Sequence, residues 1–280
     1  VKPWPDIQAA EDENIARLKN AAGDLGLSCL EITPQGEIVG SRGRYVSNAN
    51  CDFVINLHFD KPKNYDVFSF VALWNPLQFY LDWGYERVSR HLLSHDDFLS
   101  CDSTWSDDHV RRMIRGRATH MEPKFKLYHS LSRPILPPVE REYRLFYAGI
   151  NWERLGKGKS RHQELLKLLD RTGKLQIYGP EIFQGVKVWE GYRSFRHQIP
   201  FDGTSMIKEI GQCGAALVLS SEAHRQSELM SNRLFESLAA GALIICDEHS
   251  FARRHFGEAL LYIDTSKSVE EQFASVMAHI

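Results

Sequence analysis

A chain of 280 residues is long enough for two domains of roughly 150 residues each. Its 43% apolar and 25% charged residues are the balance of a globular protein and exclude a disordered chain. With 34 Lys plus Arg against 36 Asp plus Glu, the net charge of −2 argues against a basic nucleic-acid binder and a polybasic membrane anchor. No apolar run reaches the ~18 residues of a membrane-spanning helix, and Val1–Asp6 lacks the apolar core of a signal peptide. The absence of an initiator Met, and a predicted helix running to Ile280, suggest a piece of a longer polypeptide with neighbouring domains. Cys29, Cys51, Cys101, Cys213 and Cys246 are odd in number and form no CxxC, so buried reduced thiols of a cytosolic protein are expected rather than disulfides or a metal.

Along the first half, apolar spacing predicts a helix over 10–25 and strands over Leu27–Ile32, Phe53–Leu57, Val67–Leu73, Phe98–Cys101 and Phe125–Tyr128. Helices are predicted over Leu77–Leu93 and Trp105–Arg115, and a turn or hairpin over the glycine-containing Gln35–Tyr45. The proline-rich Ser132–Val139 reads as a linker, giving domains of 1–138 and 139–280. The second half alternates more cleanly. Strands are predicted over Arg144–Ala148, Leu175–Tyr178, Ala215–Leu219, Leu243–Cys246 and Leu260–Ile263. Helices fall over Ser160–Arg171, Thr204–Gln212, Asn232–Ala240, Phe251–Phe256 and Val269–Ile280. Strand–helix alternation with continuous apolar strands implies a parallel sheet covered on both faces. The second half is therefore α/β and doubly wound, and the first half is expected to be the same class with irregular insertions. In such sheets ligands bind beyond the carboxyl ends of the strands.

Two segments at such ends carry chemistry. Ser231–Asp247 reads as a helix start, a helix, a glycine stop at Gly241 and a buried strand ending in an acid. Ser231 is a suitable N-cap. The helix start, with Asn232, offers amides to a phosphate, Arg233 adds a charged donor, and Glu236 could accept from ribose hydroxyls. The competing reading is a solvated Arg–Glu pair on a surface helix. Phe146–His162 is a strand followed by a glycine-rich basic loop. There Gly149 and Asn151 precede Arg154, Lys157 and Lys159, whose charge suits a diphosphate. The spacing is not that of a P-loop.

The first of these segments resembles the nucleotide-sugar-binding helix of GT-B glycosyltransferases, particularly the bacterial group 1 and CgeB-like families, at Asn232, Arg233, Phe235, Glu236, Ala239, Gly241 and Asp247. The loop after Ala148 is similar to the one that faces the donor diphosphate in that fold. The resemblance covers about residues 143–265. It implies two Rossmann-like domains with an interdomain cleft and a nucleotide diphosphate sugar bound by the second. It further implies that Glu236 holds the ribose and that Glu228, separated from Glu236 by seven residues as the paired glutamates of retaining members are, lies near the donor sugar. Tyr178 and Gly179 would lie near the base, and His224 near the phosphate or sugar. The first domain would take a glycan or lipid-linked acceptor and supply a base.

His58 and Asp60, together at the end of an apolar run, are the preferred base candidates, with Asn75 and Asp102 at other strand ends. The aromatic-rich Trp74–Tyr85 could stack on sugar rings. No metal or cofactor is expected, since no Asp-x-Asp, HExxH or G-x-G-x-x-G occurs. The expected setting is cytoplasmic bacterial surface polysaccharide synthesis, at the inner membrane face for a lipid-linked acceptor. The alternatives are a non-catalytic module of the same fold that binds nucleotide or glycan, and a sugar-nucleotide epimerase.

Overall fold

In the computed structural model the described residues are 1, 10–114, 125–129, 131, 143–156 and 162–280. The contacts divide into two units. One is Val1–Ser132 with Glu222–Leu229, and the other is Arg133–Ser221 with Met230–Ile280. The chain therefore returns to the first unit over Glu222–Leu229, which a division into consecutive halves does not include.

The first unit begins with α1 (Ala10–Asp24), which ends at Gly26 (φ 70). Leu27 N donates back to Ala22 O at 2.8 Å, closing the helix as a glycine cap does. The expected strand Leu27–Ile32 does not form, because its first amide is spent on that cap. Ile32 makes only an isolated bridge to Ile38, and Glu37 bridges Tyr45, so Gln35–Tyr45 is hairpin-like. Cys29, expected to be buried, is exposed in this stretch.

Strands β1 (Val54–Asn56), β2 (Ser69–Ala72), β3 (Asp97–Ser100) and β4 (Phe125–Lys126) form a parallel sheet in that order. Strand alternation sends Val71 and Leu73 to one core with Tyr80, Val88, Leu92 and Val110, and Ala72 and Trp74 to a second core with Ile15 and Leu229. The expected single helix over Leu77–Leu93 is two, α2 (Leu77–Asp82) and α3 (Tyr85–Leu93), divided where Gly84 takes φ 89. α4 (Thr104–Met113) starts at Ser103, whose side chain accepts from Ser106 N at 3.1 Å.

The second unit carries β5 (Arg144–Ala148), α5 (Gln163–Asp170), β6 (Leu175–Tyr178), a small antiparallel pair β7 (Ile182–Phe183) and β8 (Val186–Lys187), then α6 (Ser205–Cys213) and β9 (Gly214–Val218). After α7 (Glu222–Gln226), which belongs to the first unit, follow α8 (Asn232–Ala239), β10 (Leu243–Asp247), α9 (Ser250–Phe256), β11 (Leu261–Ile263) and α10 (Val269–Met277). The five-stranded sheet is parallel, in the order β11-β10-β9-β5-β6. Leu145, Leu175, Ile177, Ala215, Leu217 and Ile245 pack with Leu165, Leu169 and Val276 from α5 and α10. Phe146, Ala216 and Ile244 are buried on the other face, where α6 and α8 lie. The expected doubly wound sheet is therefore present, with β5 at the point where strand order reverses.

No helix among the described residues is long and apolar enough to cross a membrane. The proline-rich Ser132–Val139 lies outside the described residues.

Candidate functional site

Strand order reverses between β5 and β9, and there the loops leaving their carboxyl ends diverge and open a crevice. A cavity lies at that place. It is lined by Tyr147, Ile150, Asn151 and Glu153 after β5, by His162 and Gln163 at the start of α5, by Trp189, and by Leu219, Ser220 and Ser221 after β9. Its wall is held by hydrogen bonds between side chains and the loop backbone. Ser220 N donates to Asp247 Oδ1 at 3.0 Å, and Asp247 is fully buried at the end of β10. His162 Nε2 lies 3.4 Å from Ser220 O, and His162 N donates to Glu153 Oε1 at 3.2 Å, tying the start of α5 to both loops. Trp189 Nε1 donates to Gly149 O at 3.2 Å, and its ring stands edge-on to Tyr147.

Gly149 O is approached from the other side by Gly179. A Cβ there would lie 2.2 Å from Gly149 O, so the site requires glycine. Gly149 itself has ordinary room for a side chain. Asn151 is 5% exposed, lines the cavity, and its Nδ2 has no hydrogen-bond partner among the described residues. An unpaired buried amide costs on the order of 1–3 kcal/mol, so a donor left in this position is poised for an acceptor that enters the cavity.

The other expected residues of this unit are placed differently. Arg154 donates to Glu190 Oε2 at 2.9 Å, so its charge is already met by an exposed carboxylate. Lys157 and Lys159 lie outside the described residues. Tyr178 is turned into the core: its hydroxyl lies 2.8 Å from Gln176 Oε1 and 3.0 Å from Glu209 Oε2, its ring stacks on Phe146, and burial raises its pKa. Ser231 sits at the N-cap of α8, but its side chain makes no cap bond. Asn232 is buried. Arg233 pairs with Glu236 one turn on, and Glu236 is 0% exposed. This is not the solvated surface pair of the competing reading. The Glu236 carboxylate is wholly buried against Arg233, near the start of the helix. Its position anchors Arg233, whose side chain keeps 27% of its exposure.

In the first unit, His58 is buried beside Phe59 and Trp83, and its Nδ1 accepts from Asp60 N at 3.1 Å. Burial, with Lys61 nearby, lowers its pKa to about 3. Asp60 is buried in an ion pair with Arg87. Both are buried and partnered within the first unit. Asn75 is also buried. Asp102 is held by Lys126 Nζ at 2.5 Å, keeps 24% of its side chain exposed, and takes a left-handed backbone (φ 62). Glu228 (φ 51) and His224 belong to the segment that joins the first unit. Among the described residues no group of three or more His, Cys, Asp or Glu is placed to hold a metal ion.

Of the residues the sequence singles out for this unit, Asn151 lines the cavity, together with Trp189, His162 and Glu153, which the sequence does not single out. His162 closes the basic loop and sits where α5 begins, a local signal that could have marked it. Trp189 comes from the irregular chain after β8, which carries no periodicity to read.

A family description fits this half of the chain. Residues 159–279 match the Glycosyl transferase-like family. No curated protein matches in sequence. Among solved structures, a DNA-modifying beta-glucosyltransferase, solved with and without uridine diphosphoglucose, is similar over 100% of this chain and 87% of its own at 14% identity, with a TM-score of 0.54. A GtfA/B complex matches 79% of this chain and 47% of its own at 13% identity and a TM-score of 0.35. A glycosyl transferase family 9 protein from Veillonella parvula matches 81% of this chain and 89% of its own at 10% identity and a TM-score of 0.31. The last two likenesses are too loose to carry an argument. The first shows that the chain has the fold of a GT-B glycosyltransferase, as the Asn232–Asp247 resemblance implies.

Proposed function

We propose that the glycosyl transferase-like half binds a nucleoside diphosphate sugar at the β5–β9 crevice, and that the chain transfers the sugar to an acceptor held by the first unit. The observation that carries this is Asn151, a buried amide donor without a partner among the described residues, at the place where open α/β sheets bind ligands. The charge developing on the departing diphosphate would be met by Arg233, by Lys157 or Lys159, and by the amides at the start of α8, without a metal. Of the strand-end acids in the first unit, Asp102 retains an accessible carboxylate and is the better candidate base. A glycan or lipid-linked acceptor fits a chain with net charge −2 better than nucleic acid. Surface polysaccharide synthesis on the cytoplasmic side is the setting this reading favours. The internal commitment of His58 and Asp60 favours a second reading, a module that binds nucleotide without turnover.

Calorimetric titration with UDP, GDP, dTDP and CMP separates these readings. One nucleotide should bind selectively, and Asn151→Ala should weaken it by ~1–3 kcal/mol, the usual cost of a lost buried partner. Asp102→Asn should leave that affinity intact and abolish sugar transfer. Binding with no transfer in the unaltered chain supports the non-catalytic module, and equal affinity in a folded Asn151→Ala variant overturns the placement of the site.

A further inference from the structure

The opposite, amino end of the same sheet carries a second concave site. Leu145 pairs with Leu175 and Phe146 with Gln176 in parallel register, and Phe195 bridges Ile177. Leu145, Leu175 and Ile177 face the core shared with α5, and Phe195 packs against it. Alternation then puts Arg144, Lys174, Gln176 and Arg196 together on the other face. With Tyr143 and Gly173 they line a cleft of about 270 Å³.

Arg144, Lys174 and Arg196 bring three positive charges to this cleft, and among the described residues none of them has an ion pair or a side-chain hydrogen bond. If they served to balance the carboxyl ends of α5 and α6, they would donate to carbonyls there, and none does. Gln176 is 8% exposed. Its Oε1 accepts from the Tyr178 hydroxyl at 2.8 Å and the Cys213 thiol at 3.7 Å, which leaves its Nε2 as the donor on the cleft side. Three unopposed cations and a nearly buried amide donor are a constellation for an oxyanion. Tyr143, 41% exposed, adds an aromatic edge at the rim.

We infer that this cleft is an anion site for a phosphate group, distinct from the β5–β9 crevice and independent of the sugar-donor reading. Titrating the full chain with inorganic phosphate at constant ionic strength tests it. Phosphate should bind, Arg144→Gln with Arg196→Gln should weaken it at least tenfold, and Asn151→Ala should leave it unchanged. Both arginines are exposed, so the variant should keep the parent's circular dichroism. Absence of phosphate binding overturns the inference. So does binding that survives the arginine changes but is weakened by Asn151→Ala, which would put the phosphate in the crevice.

Discussion

Gly179 and Gly149 show how one missing side chain sets the site. The chain after β6 passes so close to the loop after β5 that a Cβ at 179 would fall 2.2 Å from Gly149 O. The obstacle is backbone, which cannot rotate away, and the same carbonyl receives Trp189 Nε1. Gly179→Ala is expected to cost ~1–3 kcal/mol, the range for forced overpacking, and to weaken nucleotide binding by displacing Trp189 from the cavity wall. Urea denaturation and calorimetry check the two effects separately. Stability equal to the parent would mean that the loops move apart freely and that the wall is not fixed by this contact. The sequence shows that Gly179 ends a strand, but not that another loop's carbonyl lies against it. Glu236 and Arg233 make the same point: their spacing predicts the pair, and only packing decides that the carboxylate is wholly buried.

Elements were legible where apolar periodicity and local stop signals agree. The five strands of the second sheet appear within a residue or two of their predicted places, because each is built on a short, mostly apolar run. The reading failed where a glycine changed the local path. At Gly26 the chain caps α1 instead of opening a strand, and Leu27 and Leu30 remain exposed. At Gly84 the apolar pattern continues from Leu77 to Leu93 although the helix does not. No atom lies within 4 Å of a Cβ built there, so the cost of a side chain is conformational alone. Gly84→Ala should therefore lower stability by ~1–2 kcal/mol through its left-handed φ of 89. An unchanged midpoint in thermal unfolding would show that α2 and α3 can merge into the single helix that the periodicity suggests.

Two buried histidines of the first unit, His58 and His95, give the molecule a pH response. In the first unit His95 is buried, with Nε2 3.2 Å from Lys61 O, an acceptor only, so Nε2 carries the proton. Nδ1 then accepts, facing Asn56 Nδ2 at 3.3 Å and Ser69 Oγ at 3.1 Å. The ring is satisfied in its neutral form. Burial lowers its pKa to about 4, against the opposing pull of Asp96 and with Lys63 and His91 adding to the fall, and His58 drops to about 3. Both values lie below the 6.5 of an exposed histidine. Between these limits the unfolded chain binds more protons than the folded one, so stability falls as pH drops from about 6.5 to 4 and then 3. At ~1.4 kcal/mol per pKa unit, His95 alone accounts for on the order of 3 kcal/mol. Acid should thus loosen the first unit, where both of these histidines lie. Hydrogen exchange read by mass spectrometry at pH 7 and at pH 4.5 distinguishes the units: exchange should rise in β1 to β3 before β5, β6 and β9. His95→Gln, which keeps a donor for Lys61 O and loses the titrating ring, should flatten that dependence. Simultaneous opening of both sheets, or an unchanged pH profile in the variant, would assign acid sensitivity to other groups.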